Sequence, residues 1–248
     1  MNVRTFLVLA LFAPTVAISG CSSAGGESDP SSQGPDGEDA VSGEALSQGA
    51  ANTAGFVTPN VTPDEAAAIV ANYPALDPDH KIANNLLDDA IVYYDVNKSH
   101  IKNLSTMSVV DFGLNSGKFR FFVIDMTTGE VTPHKVAHGA GSESNGNGMA
   151  VRFSNVDGSH ESSLGFALGS EVYDGVHGRS LRLDGLSKTN SALRPRAIVI
   201  HGAAYVHESN SSRQGNSFGC FALDMDVKDE VIDAMKNGGL LYAGLGQH

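Results

Sequence analysis

Between Arg4 and Lys81 the chain has no lysine or arginine, while ten acids fall in that interval: Glu27, Asp29, Asp36, Glu38, Asp39, Glu44, Asp64, Glu65, Asp77 and Asp79. From Ser22 to about Thr58, Gly, Ser, Ala, Gln, Asp and Glu dominate and large apolar side chains are scarce. Such a stretch cannot bury enough surface to offset the entropy lost on ordering, so it reads as a flexible acidic tether with a root-mean-square reach of roughly 30 to 36 Å. A packed domain must therefore come from the rest of the 248 residues. Residues 81–248 hold 15 of the 16 basic and 18 of the 28 acidic groups, so most of the net charge of −12 belongs to the front of the chain. The foldable part is close to neutral. It has no general basic surface to hold a phosphate backbone, which excludes nucleic acid as a partner.

Ahead of the tether, Arg4 precedes an apolar run from Phe6 to Val16, the pattern of a secretory signal and too short to span a membrane permanently. The run ends in Ile18-Ser19-Gly20-Cys21, which resembles a bacterial lipobox. That resemblance implies a lipoprotein signal peptide over 1–20, diacylation of Cys21, and a lipidated linker over 21–58 tied to a lipid membrane. Several acyl chains hold where one binds only marginally. Ser22 after the lipidated cysteine points to the outer membrane, with the domain facing the periplasm of the cell envelope. Cys21 and Cys220 are the only cysteines, so a disulfide framework is excluded, and lipidation would leave Cys21 unavailable for pairing.

Order is expected to begin near Thr62, where Thr62-Pro63-Asp64-Glu65 combines an N-cap, a proline at the first helical position and a capping-box glutamate. Asp77-Pro78-Asp79 repeats the start signal, and Ile82, Leu86, Leu87, Ala90, Ile91 and Tyr94 follow at helical spacing. Residues 59–102 thus read as a helical brace. Beyond Lys102 the texture becomes that of strands: Thr106 to Phe112, Phe119 to Asp125, a turn at Thr127-Thr128-Gly129-Glu130, and Val131 to Val136 returning as a hairpin. A helix near Val227 to Met235 and a strand from Leu240 to Gly244 complete the domain at 103–248, which is mainly β with helices at its edges.

Reactive groups are few in this second half. His201 closes the apolar strand Ala197-Ile198-Val199-Ile200-His201-Gly202, and Cys220 follows the small-residue turn Ser217-Phe218-Gly219. A thiolate attacks where a thiol does not, so an imidazole placed to take the proton would make Cys220 a nucleophile, while Gly219 would free backbone amides to converge on an oxyanion. By themselves the two residues equally suit a buried structural cysteine and a packed histidine. A metal is not expected. His134 and His138 lie on one strand face about 13 Å apart, and no His-Glu-x-x-His occurs. His80, His100, His160, His207 and His248 read as solvated or structural, and the adjacent aromatics of Phe119 to Phe122 as core strand.

His201-Gly202, the fifteen positions from Gly202 to Asn216, and Ser217-x-Gly219-Cys220 together resemble the signature of the L,D-transpeptidase (YkuD-like) catalytic domain. The branch it is most similar to comprises murein L,D-transpeptidase catalytic-domain lipoproteins with a Ser-aromatic-Gly-Cys motif. Further matching stretches are Val136-Ala137-His138-Gly139, Ser162-Ser163-Leu164-Gly165, Gly175 to Leu186 and Ala197 to Ala203, covering about 82 to 244. The resemblance implies a β-sandwich-like domain acting on peptidoglycan stem peptides without cofactor or metal. Cys220 would form a thioester at residue three of a tetrapeptide stem, expelling D-alanine, and an amine of a second stem would resolve it into a 3→3 cross-link. Water as acceptor would make it an L,D-carboxypeptidase, and loss of turnover a peptidoglycan-binding lipoprotein. His201 carries over as base, oriented by the Gly202 carbonyl, with the Phe218, Gly219 and Cys220 amides as oxyanion donors. The sequence departs from the pattern twice: Phe218 stands where a histidine is usual and Ala222 where Arg or Asn is common. Ser217, His177, Arg179, Arg182 and His138 are the residues expected to contact substrate in their place.

Overall fold

The computed structural model describes residues 41–248; the expected signal, Cys21 and the first half of the linker lie outside them. Four helices are present among the described residues, α1 (Gly43–Thr53), α2 (Pro63–Val70), α3 (Asn84–Asn97) and α4 (Lys228–Met235). The strands are β1 (Thr106–Asp111), β2 (Phe121–Asp125), β3 (Val131–His134), β4 (Gly165–Gly175), β5 (Gly178–Gly185), β6 (Val199–Gly202), β7 (Phe221–Leu223) and β8 (Leu240–Gly244). They form one sheet in the order β3-β2-β1-β8-β4-β5-β6-β7, parallel at β1–β8 and β6–β7 and antiparallel elsewhere. Single bridges from Ala137 to Ala222 and from Gly139 to Ser217 tie the chain leaving β3 to β7 and its approach, so the sheet curls nearly into a barrel. The fold is mainly β with short flanking helices, and its layers come from one rolled sheet.

Strand alternation builds a core on each face. On β1, β2 and β8 the residues Met107, Val109, Phe122, Ile124 and Leu240 meet Leu86, Ala90 and Ile91 of α3. The intervening Val110, Phe121 and Leu241 point inward with Leu181, Leu183, Ile200, Phe221 and the α4 residues Val231, Ile232 and Met235. Tyr93 stacks on Phe166, with ring centroids 3.8 Å apart, which fixes the brace to β4.

Helix α2 starts as its sequence dictates, with Thr62 and Glu65 forming the reciprocal capping box. Helix α3 does not start at Asp77. That residue takes φ +52 and spends its carboxylate on the Lys81 and Ile82 amides, capping a separate turn, and α3 begins at Asn84 without a side-chain cap.

Helix α1 corrects the reading of the whole 21–58 stretch as structureless. The Ser42 hydroxyl accepts from the Ala45 amide at its start, and Asn52 donates to Ser170 Oγ and Asp184 Oδ2, both at 2.8 Å. Asp184 and Glu171 in turn hold the buried Arg194. Gly49 allows the approach, since a Cβ there would lie 2.5 Å from Arg194 Nε. The helix docks through polar contacts on a buried ion-pair network, a mode that apolar patterning does not register.

Candidate active site

Strands β6 and β7 run parallel in a register that pairs Ile200 with Phe221 and His201 with Ala222. Cys220 therefore enters β7 one position before the partner of Ile200, and the strand neighbouring it carries His201. The two residues, 19 positions apart in sequence, are thus brought to adjacent strands, Cys220 at the entry of β7 and His201 within β6.

The turn that delivers Cys220 is closed by one hydroxyl. Ser217 Oγ donates to the Cys220 carbonyl at 2.7 Å and accepts from the Gly219 amide at 3.1 Å, with the serine fully buried. Gly219 adopts φ +119, and a Cβ there would come within 2.9 Å of the Glu161 carbonyl and of Ile198 Cδ1, so only glycine fits. Two expectations change. Ser217 is a buried clamp rather than a substrate contact, and the Gly219 amide is engaged inside the turn, leaving the Phe218 and Cys220 amides as oxyanion candidates. Cys220 is buried, 3.8 Å from the Ala197 carbonyl at Sγ, and in no disulfide among the described residues.

His201 is fully buried, and its Nδ1 lies 3.0 Å from the Gly202 carbonyl oxygen. A carbonyl only accepts, so Nδ1 carries the proton and Nε2 presents a lone pair. Nε2 is buried without a hydrogen-bond partner among the described residues. Burial, reinforced by the electrostatic effect of the neighbouring His177 imidazole and opposed by the Gly202 bond, pushes the His201 pKa down to about 4, which keeps the His201 imidazole neutral at pH 7. The His177 ring, from the β4–β5 hairpin, stacks on His201 with centroids 4.1 Å apart and 22° between planes. A neutral imidazole with its lone pair free and its opposite nitrogen anchored is set up as a general base.

The other expected substrate contacts are placed elsewhere. Arg179 turns to α4, forming ion pairs with Asp229 at 2.9 Å and Asp233 at 2.7 Å. Arg182 joins the network under α1, with Nε 3.4 Å from Glu171 and its guanidinium over the Tyr173 ring at 4.1 Å. Arg179 is held by two carboxylates, and Arg182 pairs with Glu171 while its Nη1 is buried without a hydrogen-bond partner among the described residues, so neither guanidinium is turned out to meet a carboxylate. His138 is fully buried: Nδ1 accepts from Arg120 Nη2 at 2.8 Å, and Nε2 faces Glu143 Oε2 at 3.4 Å. Burial, then the Arg120 charge, lowers its pKa to about 4. It cannot touch substrate. Its segment instead supports the turn, since the Ser217 amide donates to the His138 carbonyl at 3.0 Å and the Ala140 amide to the Ser217 carbonyl at 2.7 Å.

One residue escaped the sequence reading. His160, read as solvated or structural, stacks on Phe218 with centroids 4.1 Å apart and 12° between planes. It lies 58 positions before Phe218, so no local motif signals the contact. Among the described residues no group of His, Cys, Asp and Glu is arranged to hold a metal ion, and no helix is long and apolar enough to cross a membrane.

Residues 78–243 match the family model described as the L,D-transpeptidase catalytic domain. No curated protein matches. Among solved structures, an L,D-transpeptidase from Mycobacterium smegmatis aligns at 14% identity over 56% of this chain and 58% of its own, with TM-score 0.35. L,D-transpeptidase 1 of Mycobacterium tuberculosis aligns at 14% identity over 56% and 61%, with TM-score 0.32. Residues 123–326 of the L,D-transpeptidase of Xylanimonas cellulosilytica align at 15% identity over 88% of this chain and 100% of that one, with TM-score 0.34. The chain thus spans less than two thirds of the mycobacterial neighbours. The matched family segment runs from just before α3 to β8 and includes both His201 and Cys220: the chain belongs to the L,D-transpeptidase catalytic-domain family.

Proposed function

We propose that this protein is a peptidoglycan L,D-transpeptidase that forms 3→3 cross-links through a thioester on Cys220. The observation that carries the reading is the tautomer of His201: its proton is held on Nδ1 by the Gly202 carbonyl, and its lone pair sits on Nε2 beside the strand that Cys220 enters. Because His201 is neutral at rest, its Nε2 can take the Cys220 proton as sulfur attacks the carbonyl of residue three. The Phe218 and Cys220 amides stabilise the tetrahedral oxyanion. Collapse breaks the peptide bond, the proton on Nε2 passes to the leaving D-alanine amine, and the acyl group stays on sulfur. An amine from a second stem then gives up its proton to Nε2, attacks the thioester and releases the thiol.

Water as acceptor would give the L,D-carboxypeptidase outcome from the same intermediate, and a chain that cannot acylate would be a peptidoglycan-binding lipoprotein. The lipobox-like Cys21 and the acidic tail support the reading of a lipid-anchored envelope protein, and Ser22 after the cysteine favours the outer membrane, facing the periplasm. Exposing the purified chain to a carbapenem tests whether the nucleophile is live. The expected result is an intact-mass adduct of one drug molecule, absent from Cys220→Ala; an unmodified mass after long exposure would favour the binding lipoprotein.

A further inference from the structure

Loop 154–162 is pressed onto the nucleophile turn more closely than ordinary side chains permit. A Cβ on Gly139 would lie 2.3 Å from the His160 carbonyl oxygen and 3.0 Å from Gly219 Cα. A Cβ on Gly141 would lie 2.3 Å from the Ser159 carbonyl oxygen, and the Gly219 position is closed by the Glu161 carbonyl. Hydrogen bonds fix what the glycines admit. The Gly139 amide donates to Ser162 Oγ at 2.9 Å, the Gly141 amide to the His160 carbonyl at 2.8 Å, and the buried Arg196 donates to the Glu161 carbonyl at 2.9 Å. His160 itself takes the left-handed φ of +53, uncommon outside glycine, and this strained backbone lays its ring flat on Phe218.

One face of the imidazole is therefore spent on Phe218, two residues from Cys220, while the residue as a whole stays exposed. Stacking leaves the N–H edge in the ring plane, turned away from the phenyl face. Arg152 reaches the same point: its Nη2 donates to the Gly141 carbonyl at 2.8 Å, so the guanidinium and His160 are hung from one glycine. Its side chain is 56% exposed and its ion pair with Glu161 is long, at 3.5 Å. Both groups are exposed beside the turn; Arg152 shares a carboxylate as Arg179 and Arg182 do, but the side chains of those two are only 29% and 12% exposed.

We infer that His160, assisted by Arg152, is the residue pair that receives a carboxylate of the stem peptide beside Cys220. The assignment rests on the proposed stem-peptide activity. It makes His160 a binding residue and leaves proton transfer to His201. Phe218 serves as the platform that holds the imidazole edge-outward.

The test is steady-state kinetics of the full chain on two tetrapeptide stems, one with the free side-chain carboxylate of its diaminopimelate and one with that group amidated. Expected for His160→Phe is about a tenfold rise in KM for the free acid, little change for the amide, and kcat within about threefold on both, the size of a lost charge-assisted hydrogen bond. Arg152→Gln should shift the same KM in the same direction, and His160→Gln, which keeps a donor, should recover part of the loss. Equal effects on acid and amide, or unchanged KM in both variants, would overturn the inference while leaving the activity standing. A wild-type chain that turns over neither peptide would overturn the activity, and this assignment with it.

Discussion

Ser217 and Gly219 show how few atoms set the nucleophile. The Ser217 hydroxyl satisfies both the Cys220 carbonyl and the Gly219 amide in a buried turn, so Ser217→Ala strands two buried polar groups. The expected cost is about 1–3 kcal/mol of unfolding free energy, read by urea denaturation, with acylation of Cys220 slowed as well. A stability unchanged within error would mean that the hydroxyl does not hold the turn. Gly219→Ala meets both a disallowed φ and the Glu161 carbonyl, so it should reduce acylation at least about tenfold while neighbouring surface substitutions leave it intact. At this scale spacing and residue type single out Cys220, His201 and Gly202, which the structure sets on or beside adjacent strands, while the Gly219 amide is taken up inside the turn. The sequence was not legible for Ser217, Arg179, Arg182 and His138, because whether a polar side chain faces substrate or a protein partner is decided by tertiary contacts. The His160–Phe218 stack was invisible for the same reason.

Among the elements, those driven by apolar periodicity or capping chemistry were readable: α2 from its capping box, α3 from its buried stripe, α4 and β8 from their flanking turns. Helix α1 was missed because its only large apolar residue, Leu46, is 41% exposed, and its docking depends on Asn52 meeting Asp184 and Ser170. Asn52→Ala should therefore detach α1 without unfolding the sheet. Hydrogen exchange would show faster exchange confined to residues 43–53, with β4 and β5 still protected. Protection unchanged across α1 would show that this side chain is not its anchor.

For the molecule as a whole, the nearly closed sheet brings its two edges together at the site, since the segment after β3 bridges to β7. This arrangement buries two neutral histidines, His138 and His201, each held at a pKa of about 4 against an unfolded value of about 6.5. Both folded values are depressed, so the unfolded chain binds more protons between those limits. The stabilisation is fully present above pH 6.5 and is lost as the pH falls toward 4, by up to about 3 kcal/mol for each histidine. Thermal midpoints measured from pH 7.5 to 4 should fall steadily through this window, and His138→Gln, which can accept from Arg120 and donate toward Glu143, should flatten the slope. A midpoint independent of pH over that range would contradict buried, neutral imidazoles.

The central claim, that Cys220 acylates a stem peptide with His201 as its base, is tested most directly by mass spectrometry of disaccharide-tetrapeptide incubated with the wild-type chain, Cys220→Ala and His201→Ala. The account predicts a dimer lacking one alanine from the wild type, none from Cys220→Ala, and a rate reduced at least about a hundredfold in His201→Ala. Tetrapeptide recovered unchanged from the wild type, or dimer formed equally well without Cys220, would contradict it.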